Sequence, residues 1–319
     1  MLGLLSGYWY SQCLYVMAEL GIADLLSSGP KKAAELAAET RCDSDSLYRF
    51  LRGVASAGLL SESEHRRFAL TPLSEILRSD HPHSVRSLAL LGGHPSHWQA
   101  WGNLLDSVRS GRAAWNTTHQ KSFFESLGDD DALGTIFQRV MDQFPVVDRG
   151  VVESVDLRHF DRIIDVGGGT GELSRQIASA YPRAAVVLFD REHVLKTIPE
   201  DQRVEFVPGS FFEAMPQGQA YFLKFVLHDW DDEHAVRILQ NCRNAMSPNG
   251  RVFVVEVVLP EDTAPSTAKT HDVNMLVLTG GRERTLGQYS SIFSAAGLTL
   301  VRIIKTSHGV TVLELSPSM

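Results

Sequence analysis

Cysteine is scarce in this chain of 319 residues: Cys13, Cys42 and Cys242 lie far apart, and none belongs to a Cys-x-x-Cys pair. That spacing excludes a disulfide framework or a thiolate zinc site and implies a reduced, cytoplasmic setting. Positive charge is also short, with 30 Lys and Arg against 38 Asp and Glu and a formal charge of −8. A protein that grips a polyanion usually carries the opposite balance. No long uncharged apolar run is present. Met1–Leu20 is apolar and aromatic, but Ser11, Gln12 and Glu19 interrupt it and no basic stretch precedes its apolar part. It reads as an amphipathic helix that packs on another helix or another subunit, not as a membrane span. Repeats and low-complexity linkers are absent too. What is present is a globular composition, 44% hydrophobic and 21% charged, long enough for two domains or one with a large insertion.

The first half is patterned for helices. Lys31–Glu39 is rich in helix formers. Asp43 or Ser44 can cap a second helix, in which Leu47, Phe50, Leu51 and Val54 share a face. Gly58 ends it, and Arg67–Thr71 is short and extended, so helix, turn, helix and small hairpin predict a winged helix. Further helices are expected from Trp98 to Met141. Near Asp161 the period changes. Arg162–Val166, Ala185–Phe189, Val204–Val207, Tyr221–Val226 and Val252–Val258 are short β-rich runs, with helical segments such as Glu172–Tyr181 and Glu233–Met246 between them. That alternation predicts a parallel sheet with right-handed crossovers. Leu298–Ile304 and Val310–Leu315 are too close in sequence for a crossover, so they must pair antiparallel.

The strongest local signal is Ile163-Ile164-Asp165-Val166-Gly167-Gly168-Gly169-Thr170-Gly171, a strand that runs into a glycine turn and opens a helix. Missing side chains there let the backbone approach a ligand. Asp190 closes the second strand, where a ribose hydroxyl would sit. Dinucleotide and S-adenosylmethionine sites share this geometry. The nicotinamide fingerprint needs a third glycine where this chain has Glu172, and the terminal hairpin suits a methyltransferase sheet better.

Three stretches in order carry a resemblance: Asp165–Gly171, then Leu223-Lys224-Phe225-Val226-Leu227-His228-Asp229-Trp230-Asp231-Asp232-Glu233, then Gly280-Gly281-Arg282-Glu283-Arg284-Thr285. Together they resemble the signatures of the caffeate O-methyltransferase-like family, which is metal-independent and includes plant phenol, hydroxyindole and bacterial natural-product enzymes. The resemblance spans essentially the whole chain. It implies an α/β fold, a Rossmann-like S-adenosylmethionine methyltransferase sheet with a terminal antiparallel hairpin. A mainly α winged-helix dimerisation domain over residues 1–86 would precede a methyltransferase domain over 87–319. Within the latter, 87–150 would be a helical substrate-pocket segment and 151–319 the cofactor-binding core. The implied cofactor is S-adenosylmethionine, leaving as S-adenosylhomocysteine, with no metal. Gly167, Gly169, Asp190, Ser210, Phe211, Lys224 and Trp230 fall on its contacts: Asp190 toward the ribose, Phe211 against the adenine, Lys224 near the nucleoside or methionine portion, and Trp230 closing the pocket. Ser210 departs from the family, which usually has an acid there. A hydroxyl can still accept from the adenine amino group but carries no charge, which implies weaker cofactor binding.

The resemblance also makes His228 the general base, flanked by Glu256 and Glu283. The residue types suit that chemistry. A phenol with a pKa near about 10 yields little phenolate at neutral pH, and an imidazole with an ordinary pKa of about 6.5 can take its proton as the oxygen attacks. A carboxylate on the other ring nitrogen would fix the tautomer and stabilise the imidazolium. His228 follows the fourth strand and Glu256 the next, about 4.8 Å apart across the sheet. Most of the other histidines, such as His65, His81 and His83, lie in polar loops. Met141, Phe225, Met275 and Asp272 are the implied substrate contacts, with Asp272 able to act from behind. In this family the winged helix dimerises. Arg49 and Arg52 on its second helix could suggest DNA, but Asp43 and Asp45 open that helix and the chain is acidic, so a homodimer without nucleic acid or membrane is expected. The predicted reaction is O-methylation of a small aromatic or natural-product molecule. The alternatives are N- or C-methylation or a hydroxylase-like reaction on the same fold, and a DNA-binding regulator that senses S-adenosylmethionine.

Overall fold

The computed structural model describes residues 1–142, 145–199, 201–307 and 309–318. They form two compact units, Met1–Gln99 with Asp129–Gln143, and Ala100–Gly128 with Phe144–Met319. The division expected at residue 86 falls at the first residue of the helix Arg86–Gly93, and the segment expected as 87–150 is shared between the units.

In the first unit, Asp43 caps the helix Ser44–Ser56 by accepting from the Ser46 amide at 2.9 Å. That helix buries Leu47, Leu51 and Val54, while Phe50 is only partly covered. Lys31–Lys32, expected to be helical, form strand β1, and the helix starts at Ala33. Pro30 precedes them, and their backbone pairs with Arg67 and Phe68 instead. With β2 (Leu60–Ser63) and β3 (Arg67–Leu70) they make a sheet ordered β1-β3-β2, which completes the winged helix. Met17, Ile22, Leu36, Leu51 and Phe68 fill its core. The helix Gly7–Glu19 buries Met17 and Ala18 but leaves Tyr8, Trp9 and Tyr10 exposed. The helix Asp131–Met141 buries Leu133 and Val140 and packs against Arg86–Gly93.

The second unit is built on seven strands. These are β4 (Arg162–Val166), β5 (Ala185–Asp190), β6 (Val204–Pro208), β7 (Gly218–Lys224), β8 (Met246–Glu256), β11 (Leu298–Lys305) and β12 (Thr311–Pro317). Two short strands, β9 (Val258–Leu259) and β10 (Arg284–Thr285), pair separately. The sheet order is β11-β12-β8-β7-β4-β5-β6. Strands β4 to β8 run parallel, and β12 is antiparallel to both β8 and β11. Both faces of the central strands β4, β5, β7 and the end of β8 are covered, so those stretches are buried almost without interruption. Tyr221 and Leu223 pack on the helices Asp232–Ala245 and Leu286–Ala295, and Phe222 and Phe253 on the opposite face. From β4 the chain lays down β5 and β6 on one side, then returns to place β7 on the other. The switch point therefore lies between β4 and β7, and ligands of open α/β sheets bind at the carboxyl ends of such strands.

Two strands, β7 and β8, depart most from their expected bounds. β7 begins earlier than expected and stops at Lys224, because Phe225 takes a left-handed backbone, φ +53°. β8 begins at Met246, so the expected break at Ser247–Gly250 lies inside it, where pairing with β7 slips register.

Candidate active site

The glycine turn leaves β4 beneath β5. The Gly167 amide donates to Phe189 O at 2.8 Å, and the Gly169 amide to Asp190 Oδ2 at 2.9 Å. At Gly168 any Cβ would collide with Leu188 and the Asp165 carboxylate; at Gly169 the space is open, but φ of +55° favours glycine. Asp165 is buried below the turn, where Ser174 Oγ donates to it at 2.7 Å, and burial pushes its pKa up to about 6. Burial also pushes Asp190 upward, against the two amides of Arg191 and Gly169 that favour its charged form. A backbone brought into the open without side chains, beside a carboxylate at the switch point, fits the ribose end of a nucleoside.

An aromatic group stands beside this turn. A Cβ at Gly167 would lie 3.5 Å from Phe211 Cε1. The Phe211 ring meets Trp230 edge-on at 5.8 Å, Phe212 meets Trp230 at 4.7 Å, and Phe124 stacks on Trp230 at 6.3 Å with 18° between planes. Ser210 Oγ accepts from the Phe212 amide at 3.3 Å. Lys224, expected near the nucleoside, has its ammonium on the buried carboxylate of Asp148, from the helix Pro145–Ser154.

Beyond Phe225, the short turn Leu227–Asp229 holds His228 with 8% of its surface exposed. Its Nδ1 lies 2.9 Å from Glu283 Oε1, and the Phe225 ring stacks on it at 5.7 Å. The two glutamates therefore act differently. Glu283 bonds the ring. Glu256, the last residue of β8, accepts the backbone amides of Leu227 at 2.9 Å and His228 at 3.3 Å, and its other oxygen lies 3.7 Å from Nδ1. Asp229 Oδ1 is 3.8 Å from Nε2. Asp272 accepts the Glu283 amide at 2.8 Å and so holds that glutamate from behind. Met275 is buried in the helix Thr267–Leu278, and Met141 belongs to the first unit.

Charge decides the state of this cluster. Burial alone would push His228 down, but Glu256, Asp229 and Glu283 together outweigh it and raise the imidazole to about 10. Burial raises Glu256 to about 7 and Asp229 to about 6. On Glu283 burial acts the same way, yet its bonds to the histidines win and hold it near about 2. Glu283 is thus the carboxylate held most firmly in its ionised form.

Three residues here were not foreseen. Arg284, fully buried, sends Nη1 to Leu227 O at 2.8 Å, Nη2 to Trp230 O at 2.8 Å, and Nε and Nη2 to Asp232 Oδ1. It thereby brackets the turn that carries His228, while the Arg282 amide takes His228 O. Its signal was present, since it lies within the Gly280–Thr285 stretch. Asp148 shares a helical phase with the buried Val151, Val152 and Val155, which marked it as buried. His271, with Nδ1 2.8 Å from Glu283 Oε1, had no signal beyond adjacency to Asp272. His228, His271 and Glu283 bring one donor atom each within 4.8 Å of one another. Donors around a tetrahedral ion stand roughly 3.3 Å apart, whereas the two nitrogen–oxygen separations here are hydrogen-bond lengths.

Comparison with known proteins identifies the family. Residues 101–299 match the O-methyltransferase domain, and residues 2–80 match the O-methyltransferase dimerisation domain. The chain is 38% identical to the phenazine O-methyltransferase PhzM of Lysobacter antibioticus, covering 99% of this chain and 95% of that one. It is 34% identical to the 8-amino-8-demethylriboflavin N,N-dimethyltransferase of Streptomyces davaonensis, covering 91% and 87%. Among solved structures it superposes on NcsB1, an O-methyltransferase from neocarzinostatin biosynthesis in complex with S-adenosylmethionine and 2-hydroxy-5-methyl naphthoic acid. The TM-score there is 0.85, with 30% identity and coverage of 97% and 96%. With its sheet, its glycine turn and both matched domains accounted for, the chain belongs to the S-adenosylmethionine-dependent O-methyltransferase family.

Proposed function

We propose that this protein methylates a hydroxyl of a small aromatic natural product, with His228 as general base. The observation that carries the reading is the Nδ1 bond of a buried histidine to an ionised glutamate, beside the switch point that holds the glycine turn. Bound S-adenosylmethionine supplies an already activated methyl carbon. Gly167, Gly169 and Asp190 would hold its sugar end, and Phe211, Ser210 and Trp230 its base, with Lys224 acting from its pairing with Asp148. Since the Glu283 carboxylate accepts Nδ1–H, the neutral ring leaves Nε2 free to take a proton. The surrounding carboxylates then stabilise the imidazolium. A base raised to about 10 matches the proton affinity of a phenol of about 10, so transfer between them is nearly even in energy. The cost is that the ring rests protonated at neutral pH, and turnover should rise with pH until it is neutral. Phe225, stacked on His228, and Met275 would flank a flat acceptor. We read the first unit as the site where two copies pair, given its match to a dimerisation domain and the exposed aromatic face of its first helices; its partner is then a second chain, not DNA.

His228→Ala tests the base. Turnover with a phenol panel should fall by about two to four orders of magnitude, while calorimetry shows S-adenosylmethionine still binding. Turnover at the wild-type rate would remove the assignment. One relative methylates an amine, which favours a second reading, N-methylation. An aryl amine keeps a free lone pair, so amine methylation that survives in His228→Ala would support it.

A further inference from the structure

A carboxylate oxygen has two in-plane lone pairs and can accept two N–H groups at once. Glu283 Oε1 is used in that way: His228 Nδ1 lies 2.9 Å from it and His271 Nδ1 2.8 Å. The sister atom, Glu283 Oε2, is buried with no hydrogen-bond partner among the described residues. Both imidazoles therefore draw on one oxygen, and what one takes the other loses. They differ in setting. The His271 side chain is 51% exposed on the helix Thr267–Leu278, whereas that of His228 is 10% exposed.

We propose that His271 is a positioning residue that, by sharing Glu283 Oε1, sets how tightly Glu283 holds the catalytic imidazole; this rests on the reading of His228 as the base. Glu283 stays ionised, so it can only accept, and both Nδ1 atoms donate. The other charged or titratable groups around the pair are Glu256 at the end of β8, Asp229 in the His228 turn, Asp272 behind the Glu283 amide, and Arg284 and Tyr289 on the side of β10 and the following helix. None of these bonds Glu283 Oε1, so the competition there is between the two histidines. Removing the His271 donor leaves Glu283 wholly to His228, favours the imidazolium, and moves the onset of turnover to higher pH.

The experiment compares His271→Phe, which keeps a ring but has no donor, with His271→Gln, which keeps a neutral N–H donor, and with His228→Ala. In His271→Phe the proton concentration at half-maximal kcat/KM should fall by roughly threefold to tenfold, toward the lower figure because His271 is half exposed. The KM for S-adenosylmethionine should not change, and His271→Gln should restore the wild-type profile. Nitrogen-15 NMR of the His228 ring in the ligand-free protein should show the same displacement without relying on turnover. An unmoved profile and ring titration in His271→Phe overturn the proposal, as does a His271→Gln profile identical to that of His271→Phe. If His228→Ala retains turnover, the underlying reading has failed. If it is inactive while His271→Phe is unshifted, only the role of His271 has.

Discussion

Replacing Glu283 by Gln isolates charge from shape. The amide oxygen can still accept Nδ1–H, so the ring keeps its tautomer, but the negative charge 2.9 Å from Nδ1 is gone. A hydrogen bond with a charged partner contributes about 1.5–3 kcal/mol, and one pKa unit corresponds to about 1.36 kcal/mol. His228 should therefore drop by about one to two units from its raised value. It stays above the ordinary range, since Glu256 and Asp229 still act on it. The same energy is withdrawn from the imidazolium that forms on proton transfer, which costs roughly tenfold or more in plateau rate when transfer is well advanced. The two effects separate along the pH axis. The half-maximal pH of kcat/KM moves down by about one to two units while the plateau falls by a similar factor, so the variant and wild-type acid limbs coincide and the profiles part only at high pH. The assay is the initial rate of S-adenosylhomocysteine formation from about pH 5.5 to about pH 11 at fixed ionic strength, with cofactor affinity followed by calorimetry. An unmoved half-maximal pH, or an equal loss at every pH together with weakened cofactor binding, refutes the reasoning.

Ser210→Asp should tighten S-adenosylmethionine binding by about 1 kcal/mol, roughly fivefold, by giving the adenine amino group a charged acceptor; calorimetry showing unchanged or weaker binding would count against the assigned place of Ser210. Arg284→Met strips the guanidinium from two carbonyls and Asp232; since Asp232 is half exposed, the cost lies in the orphaned carbonyls, about 1–3 kcal/mol, seen as a lowered denaturation midpoint. In Gly168→Ala the new methyl meets Leu188 and Asp165; overpacking of about 1–3 kcal/mol should appear in thermal melts together with weakened cofactor uptake, and normal uptake would mean that the turn tolerates the shift.

Much of this was legible before any coordinates. The glycine turn, the strand–helix alternation and the closing hairpin were readable because two buried sheet faces demand continuous apolar strands and the short link between the last two forbids a crossover. The place of His228 at the end of a central strand followed from the same pattern. The division of labour between the two glutamates was not readable. It depends on Phe225, whose left-handed backbone turns the chain so that Glu256 meets amides and Glu283 meets the ring. No local rule places a bulky aromatic in that conformation, since its cost is offset only by tertiary packing. Lys31–Lys32 failed for a related reason: propensity favoured helix, and pairing with Arg67 and Phe68 overrode it. His271 was silent because a half-exposed histidine on a helix looks the same whether or not a carboxylate lies beneath it.

The interleaving of the two units has a practical edge for protein engineering. The chain passes from the first unit to the second at residues 99 and 100, returns at 129, and leaves again after 143. Leu133 and Val140, on the returning helix, are buried, and that helix packs on Arg86–Gly93. A chimera that swaps only the N-terminal stretch between relatives would thus part Arg86–Gly93 from the helix Asp131–Met141 that packs on it. Exchanges of the first unit should carry both pieces together, or that packing will join side chains drawn from two different sequences.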